Sequence, residues 1–327
     1  MMSYSLESID SILSEDVGLK VDALVVLNKE NVSKYILEHS ELFSEIFENV
    51  NLDFNMNYGF SSLGFPYKVG ILNNKINRLV LSRKTTHLQR VQLKIRYDGT
   101  DFNGFQIQKN SRSVAGELTK LISKINDCPT VCYGASRTDS GVHAIEQIVH
   151  FDTSRDLSVK KWKHYFESEL PKDITIEDVK FVHPLFHSRY DVFTKEYRYL
   201  LNTAEYDPLR RHFEWTVGKL DENNLEKNLN LLIGTFDFTS FCTGEKNSKI
   251  RTIFEASFIK RENTIELVFV GNGFLHHMIR LLVFQLVKMA KQEIQDDILQ
   301  IINEKSRKHT TKIAPANGLY LTKITYE

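Results

Sequence analysis

The stretch from Phe274 to Val287 reads FLHHMIRLLVFQLV, and it restricts the folds open to this chain more than any other. It is apolar almost all round, the pattern of a helix buried on every side. Its only strong charge is Arg280. A guanidinium cannot shed its proton, so burying one demands an anionic partner. The run is too short for a membrane helix, and Arg280 and the His276–His277 pair argue further against one. The chain must therefore fold into a body that carries a carboxylate deep enough to meet Arg280. Two kinds of acid satisfy that demand. One is a structural Asp or Glu, and the other is a catalytic carboxylate, whose ionised form a nearby cation favours.

A candidate acid lies in Ser136 to Ala144, SRTDSGVHA. Asp139 falls between a short apolar run, residues 130–133, and a strand-like run that starts at Gln147, so it sits on a connection, where catalytic groups often lie. Gly141 lets the backbone turn sharply beside it. Four readings compete: a surface turn, half of an aspartic protease, a metal ligand, and a nucleophile. Turns containing Asp and Gly are common. The protease chemistry needs two acids sharing one proton. No second Asp-Ser/Thr-Gly occurs here, so a homodimer would have to supply it, and Arg137 works against a shared proton. Asp139, His143 and His150 match no recognised metal spacing.

Composition bounds the rest. The 327 residues are 42% hydrophobic and 26% charged, with a formal net charge of zero. Length and composition suit a soluble globular protein of two or three domains. The charge is uneven. Residues 1–53 hold 11 acids and 3 bases, and the remaining 31 acids face 39 bases, so an acidic N-terminal segment precedes a basic body. That is compatible with a polyanionic partner. Cys128, Cys132 and Cys242 are odd in number and fit no zinc pattern, which suits a reduced, cytoplasmic protein. The first sixteen residues carry acids and no base, unlike a signal peptide or presequence.

The chain divides in three. Residues 1–88 form an N-terminal extension, partly helical: Val32, Ile36, Phe43, Ile46, Phe47 and Val50 fall near helical spacing among glutamates. Residues 51–70, rich in Asn, Ser and Gly, read as loop. From residue 89 the rhythm is strand (91–97), helix (114–125), strand (147–152), helix (157–170), strand (174–182). A similar order follows Tyr190: strand (197–201), helix (221–233) with Asp221 as N-cap, strand (264–270), helix (274–290), a shorter helix (294–302) and a last strand (319–326). Two α+β units with antiparallel sheets follow, at 89–188 and 189–327.

Arg137-Thr138-Asp139-x-Gly141-Val142-His143-Ala144 resembles the active-site signature of the TruA family of tRNA pseudouridine synthases. Further segments resemble the family in its order: residues 97–108 (YDGTDFNGFQIQ), Ser113-Val114, residues 147–153 (QIVHFDT), Phe186-His187-x-Arg189, residues 196–199 (EYRY), Gly234-x-x-x-Phe238-Thr239-Ser240-Phe241, Arg251-Thr252-Ile253, Asn272-x-Phe274-x-His276-His277-Met278-x-Arg280 and Ala314-Pro315-x-x-Gly318-Leu319-Tyr320-Leu321. The resemblance covers residues 89 to 327. It implies the pseudouridine synthase fold, an α+β fold of two ferredoxin-like (RRM-like) units forming a central cleft, here with an N-terminal extension.

The resemblance also implies an activity: isomerising uridine to pseudouridine within tRNA, in the anticodon stem-loop (positions 38–40), by base flipping. The reaction oxidises nothing and releases no group, so no cofactor and no metal are expected. The implied catalytic residues are Asp139, Tyr197 and Arg280. Asp139 acts as nucleophile or as base toward the sugar, Arg280 pairs with it, and Tyr197 stacks on the base and helps move the C5 proton. The substrate contacts are Arg137, Thr138, His143, Gln106, Arg189 and Arg198. Arg137 assists in extruding the uridine, whereas His143 suits an ordering role in the loop. Lys109, Arg112 and Lys195 are further candidates for phosphate contact. The implied partner is tRNA, bound across a homodimer, with no membrane. This chain departs from the family pattern where it has Ser136 for Gly, Ser140 for Ala and Phe105 for Trp. A catalytically idle tRNA-binding or RNA-folding protein on the same scaffold is the rival reading.

Overall fold

The computed structural model describes residues 24–26, 56–60, 66–72, 75–82, 89–183, 186–244 and 248–326. Residues 1–89 with 183–186 make one compact unit, and residues 90–182 with 187–327 make another.

In the first unit, strands β1 (Leu24–Val26), β2 (Met56–Phe60), β3 (Pro66–Leu72) and β4 (Lys75–Ser82) form an antiparallel sheet in the order β1-β4-β3-β2. This corrects the expectation of a loop over residues 51–70. The apolar residues Met56, Tyr58 and Phe60 alternate with Asn57 and Gly59, which is a strand period, and the turn-formers Ser61, Ser62 and Gly64 lie between the strands rather than throughout. The amphipathic helix expected over residues 32–50 falls outside the described residues.

The second unit begins with β5 (Gln89–Tyr97), whose Val91, Leu93, Ile95 and Tyr97 are buried in strand alternation. Helix α1 (Val114–Asn126) follows. Ser113 caps it by accepting from Gly116 N, and Asp127 ends it in the left-handed conformation. Then come β6 (Tyr133–Gly134), β7 (His143–Thr153), α2 (Val159–Glu169) and β8 (Ile174–Val182). The same order recurs. Strand β9 (Val192–Asn202) leads through β10 (Trp215–Thr216) to α3 (Glu222–Asn230), which Asp221 caps as expected. Strands β11 (Gly234–Asp237), β12 (Ile250–Arg261) and β13 (Thr264–Gly271) precede α4 (Met278–Ala290), α5 (Ile298–Asn303) and β14 (Leu319–Tyr326).

The first half is a β-α-β-β-α-β unit, the second repeats that order as β9-α3-β12-β13-α4-β14 with β10, β11 and α5 added, and the α+β reading with two ferredoxin-like modules holds. Their sheets do not stay separate. They form one ten-stranded sheet, ordered β11-β12-β13-β9-β14-β7-β5-β8, with β10 on β9 and β6 on β7. The seam is a parallel pair, Tyr320 beside His143 and Leu321 beside Ala144. It sets the start of β7, directly after the SRTDSGVHA turn, against the C-terminal strand.

Two helices start four residues later than expected. Helix α4 begins at Met278, not Phe274: Gly273 (φ 148) and His277 (φ 62) take conformations that no α-helix continues through. Its apolar character was visible in the sequence, but the backbone switch at His277 was not. Helix α5 begins at Ile298 because Asp297 and Gln300 build a capping box. Among the described residues no helix is long and apolar enough to cross a membrane.

Candidate active site

Asp139 is held on its turn by the segment that follows β5. Gly104, at φ +80, lies so close that an added Cβ would stand 2.7 Å from Thr138 O, and a Cβ on Gly99 would stand 2.0 Å from Val142 O. Phe105 N donates to Thr138 O, and Gly141 N to Phe102 O. Tyr97 Oη and Thr138 Oγ1 are 2.8 Å apart. Ser136 is clamped by the side-chain amide of Gln147, which accepts from Ser136 N at 3.1 Å and donates to Ser136 O at 2.8 Å. The acid is therefore carried on backbone fixed from both sides.

Arg280 reaches it from the first turn of α4. Nη1 lies 3.1 Å from Asp139 Oδ2, and Nε donates to Ala314 O at 2.8 Å. The side chains are 12% and 21% exposed, so the pair is mostly, though not fully, removed from water. This is the anionic partner that the apolar helix demanded, and it comes from the other module.

Two imidazoles complete the acid's surroundings. His277 Nε2 lies 3.6 Å from Oδ2 and His276 Nε2 lies 3.8 Å from Oδ1. Their rings stack at 3.8 Å, and Thr243 Oγ1 bonds the Nδ1 of each, at 2.7 Å for His276 and 2.8 Å for His277. Burial lowers the His277 pKa against the pull of Asp139, with His276 and Arg280 adding to the fall. Asp139, His276 and His277 offer ligand atoms within 4.8 Å of one another, a set the sequence reading, centred on His143 and His150, did not find. The donor types suit a borderline divalent ion. Arg280 on the same carboxylate is a fixed cation that opposes a second one.

Tyr197, on β9, is 6% exposed and packs edge-to-face on Phe274 at 5.4 Å. Burial pushes its phenol up to about 12, a hydrogen bond with Ser136 moderates this, and Asp139 adds to it. These groups line one cavity of about 760 Å³ between the modules. Its cationic rim holds Arg137, Arg189, Lys195 and Arg251. Burial, and then the Arg189 guanidinium, disfavour the charged form of Arg137. Among the described residues no acid pairs with Arg137, Arg189 or Arg251, so an anion entering the cavity relieves this repulsion.

The site residues expected from sequence divide clearly. Asp139, Tyr197, Arg280, Arg137, Thr138, Gln106 and Arg189 all line the cavity. His143 and Arg198 do not. His143 is 2% exposed beneath the turn: its Nδ1 accepts from Gly99 N and its Nε2 faces His212 O at 2.8 Å. Asp98 approaches Nδ1 to 3.1 Å, which would favour an imidazolium. Burial is the larger effect and lowers the pKa. A ring that accepts at Nδ1 and donates from Nε2 is neutral. Arg198 points to the opposite face of β9 from Tyr197, as strand alternation requires, and pairs with Glu196 and Glu266. Arg112 is likewise occupied, by Asp173 and Glu117. Lys109 is exposed outside the cavity, whereas Lys195 lines it. Arg251, His276 and His277 belong to the segments that resemble the family, but spacing alone gives no sign that they converge.

Known proteins resemble the chain through this same body. A family described as tRNA pseudouridine synthase matches residues 94–191 and 229–327. The tRNA pseudouridine synthase A of Geobacillus sp. (strain WCH70) is 38% identical over 246 residues, covering 73% of this chain and 99% of its own length. The tRNA pseudouridine synthase A 1 of Bacillus cereus is 39% identical over 245 residues, with shares of 73% and 99%. That of Staphylococcus aureus (strain bovine RF122 / ET3-1) is 37% identical over 240 residues, with shares of 72% and 90%.

Proposed function

The chain belongs to the TruA family of tRNA pseudouridine synthases, and from that premise we propose a mechanism and a target for its isomerase activity. The target is uridine in the anticodon stem-loop of tRNA. In the reaction the N1–C1′ bond breaks, the ring turns, C5 bonds to C1′, the C5 proton leaves and N1 gains one. A stacked base is out of reach of Asp139, so the uridine is flipped into the cavity at a cost of a few kcal/mol. Arg137, free of any acid partner among the described residues, fills or braces the vacated position. Phe274 and Tyr197 make the aromatic wall for the base. Asp139 attacks or deprotonates the sugar as a carboxylate, and Arg280 orients it and balances its charge. Arg189 and Arg251 meet phosphates by charge and shape rather than by reading sequence.

The observation that carries this reading is the 3.1 Å contact between Asp139 and Arg280, made across the cavity by two different modules. We assign residues 89–188 and 189–327 as those modules and residues 1–88 as an extension. We further propose a cytoplasmic homodimer that binds tRNA across both subunits. Incubating the protein with tRNA labelled with tritium at uridine C5 tests the activity: release of label from wild type, and none from Asp139→Asn at equal tRNA binding, is expected. Equal binding with no release from either protein would favour an idle RNA-binding protein. Sedimentation of the free chain and of its tRNA complex tests the dimer, with a monomer in both overturning it.

A further inference from the structure

Ser136 stands where the family usually has glycine, and its hydroxyl is not idle. It is 7% exposed and lies 2.8 Å from Tyr197 Oη. Lys195, two residues before Tyr197, reaches back with its Nζ, donating to Ala135 O at 2.7 Å and to Ser136 Oγ at 3.4 Å. An ammonium only donates. Ser136 Oγ then accepts from Lys195, which leaves its own proton available to the phenol oxygen 2.8 Å away. In that arrangement the phenolic proton points away from Ser136. Gln147, 0% exposed and bonded to both backbone groups of Ser136, fixes the main chain that carries the hydroxyl.

We propose that Ser136, backed by Lys195, controls proton transfer at Tyr197. The two residues form a one-way donor chain, Lys195 to Ser136 to Tyr197, that supports negative charge on the phenol oxygen. This rests on the isomerase reading above. Once C5 has bonded to C1′, the base carries a proton on C5 and a bare N1. Tyr197 gives its proton to N1, stands briefly as a phenolate under the Ser136 donor, and takes the proton from C5. One N–H bond forms, one C–H bond breaks, and the phenol is restored. Burial alone makes that phenolate costly, and the donor chain offsets part of the cost. Ser136 and Lys195 touch the reaction only through Tyr197, so they are positioning residues.

The test is single-turnover conversion of tRNA carrying protium or deuterium at uridine C5, using the full chain. Ser136→Ala should slow conversion about tenfold, the worth of one charge-supported hydrogen bond. It should leave tRNA affinity within about twofold and raise the deuterium isotope effect, because loss of the C5 proton becomes the slow step. Ser136→Gly, the residue usual at this position, should behave like Ser136→Ala, and Ser136→Thr, which keeps the hydroxyl, should recover most of the rate. Lys195→Met should lower the rate with the same rise in isotope effect. Wild-type rate and isotope effect in both Ser136→Ala and Ser136→Gly would overturn the proposal. So would a slower rate with an unchanged isotope effect and a lowered melting temperature, which would make the hydroxyl merely structural. A Lys195→Met variant that loses only tRNA affinity would remove Lys195 from the chain. A wild type that makes no pseudouridine would instead overturn the functional reading.

Discussion

The first module offers its carboxylate on a turn between β6 and β7, whereas the second offers its cation from the first turn of α4 and its phenol from the middle of β9. The two share an order of elements and a sheet, yet they hold their chemistry by different means. A side chain on a helix or strand inherits its position from the packing of the whole element. A side chain on a turn has to be fixed locally, and the first module does this with backbone-to-backbone approach at Gly99 and Gly104 and with the Gln147 clamp on Ser136. The acid is therefore the more vulnerable partner to changes around it, and the cation the more costly one to strand. If Arg280 is removed, the acid remains on a turn open to the cavity, whereas if the acid's charge is removed, the guanidinium keeps only its bond to Ala314 O within an apolar helix.

The sharpest way to break that comparison is to remove each partner in turn. Asp139→Asn should still fold, though less stably because Arg280 loses its anionic partner, bind tRNA and lose turnover by on the order of 10⁴-fold or more, as expected when the group that acts on substrate is removed. Measurable pseudouridine from this variant would transfer the chemistry to another group, with His277 the nearest. Arg280→Met should cost less in rate, about 10²-fold, because it removes orientation and charge balance rather than the reacting atoms. Asp139→Asn should be the less stable of the two. In Asp139→Asn the guanidinium keeps its bond to Ala314 O, and in Arg280→Met the apolar helix gains an apolar side chain. A double-mutant cycle by denaturant titration should give a coupling of about 1 kcal/mol, small because the pair is partly wet. A coupling near zero would make the contact incidental.

Much of this asymmetry could be read in advance, and the reasons are physical. The apolar run with one arginine required an acid, and the acid on the SRTDSGVHA turn met it; charge burial is a constraint that sequence expresses directly. Tyr197 was legible only through the resemblance, and strand alternation then sends its neighbour Arg198 to the other face, to Glu196 and Glu266, rather than to the substrate as the resemblance implied. His143 orders the loop, as expected, and is not a substrate contact: four residues after the acid along the chain, it is directed, once β7 starts, under the turn and against Tyr320 at 4.7 Å. The cluster of His276, His277 and Thr243 was not legible. It depends on His277 leaving the helical conformation and on a loop thirty-odd residues earlier folding over it, and neither is a property of local spacing. The first-unit sheet was hidden by composition, since Asn and Gly within a strand imitate a loop until their alternation with Met56, Tyr58 and Phe60 is noticed.

A smaller effect sharpens the claim that the acid is fixed by local backbone contact. Gly104→Ala adds a methyl carbon 2.7 Å from Thr138 O at a backbone φ of +80. Neither the strain nor the collision can be relieved by a flexible side chain, so the turn itself must shift. We expect a loss of about 1–3 kcal/mol in stability and about tenfold in turnover, from displacing the carboxylate by a fraction of an ångström. Unfolding titrations and the tritium-release rate measure the two. A variant as active as wild type would show that the turn is positioned from the second module, through Arg280, rather than by its own neighbours.

The mildest expected change concerns the anchor under the turn. His143 is neutral in the folded chain, and burial, the largest influence on it, sets its pKa below the ordinary 6.5. An unfolded chain therefore binds a proton at this site more readily than the folded one as the pH falls through 6.5. Its contribution to stability is complete above that value and is lost as the pH drops toward the lower folded-state pKa, with a slope of at most about 1.4 kcal/mol per pH unit for one proton. Melting curves between pH 7.5 and 5.5 should show wild type losing stability faster than His143→Gln, which has no proton to take up but is somewhat less stable at neutral pH for want of the His212 bond. Parallel curves would mean that His143 titrates alike in both states and that the neutral ring is not what ties the first module's turn to residues 211–214 of the second. Because this anchor crosses the same seam as the Asp139–Arg280 pair, a flatter curve in the variant would extend the contrast: the second module steadies the acid twice, once by charge from α4 and once by a neutral hydrogen bond at the base of the turn.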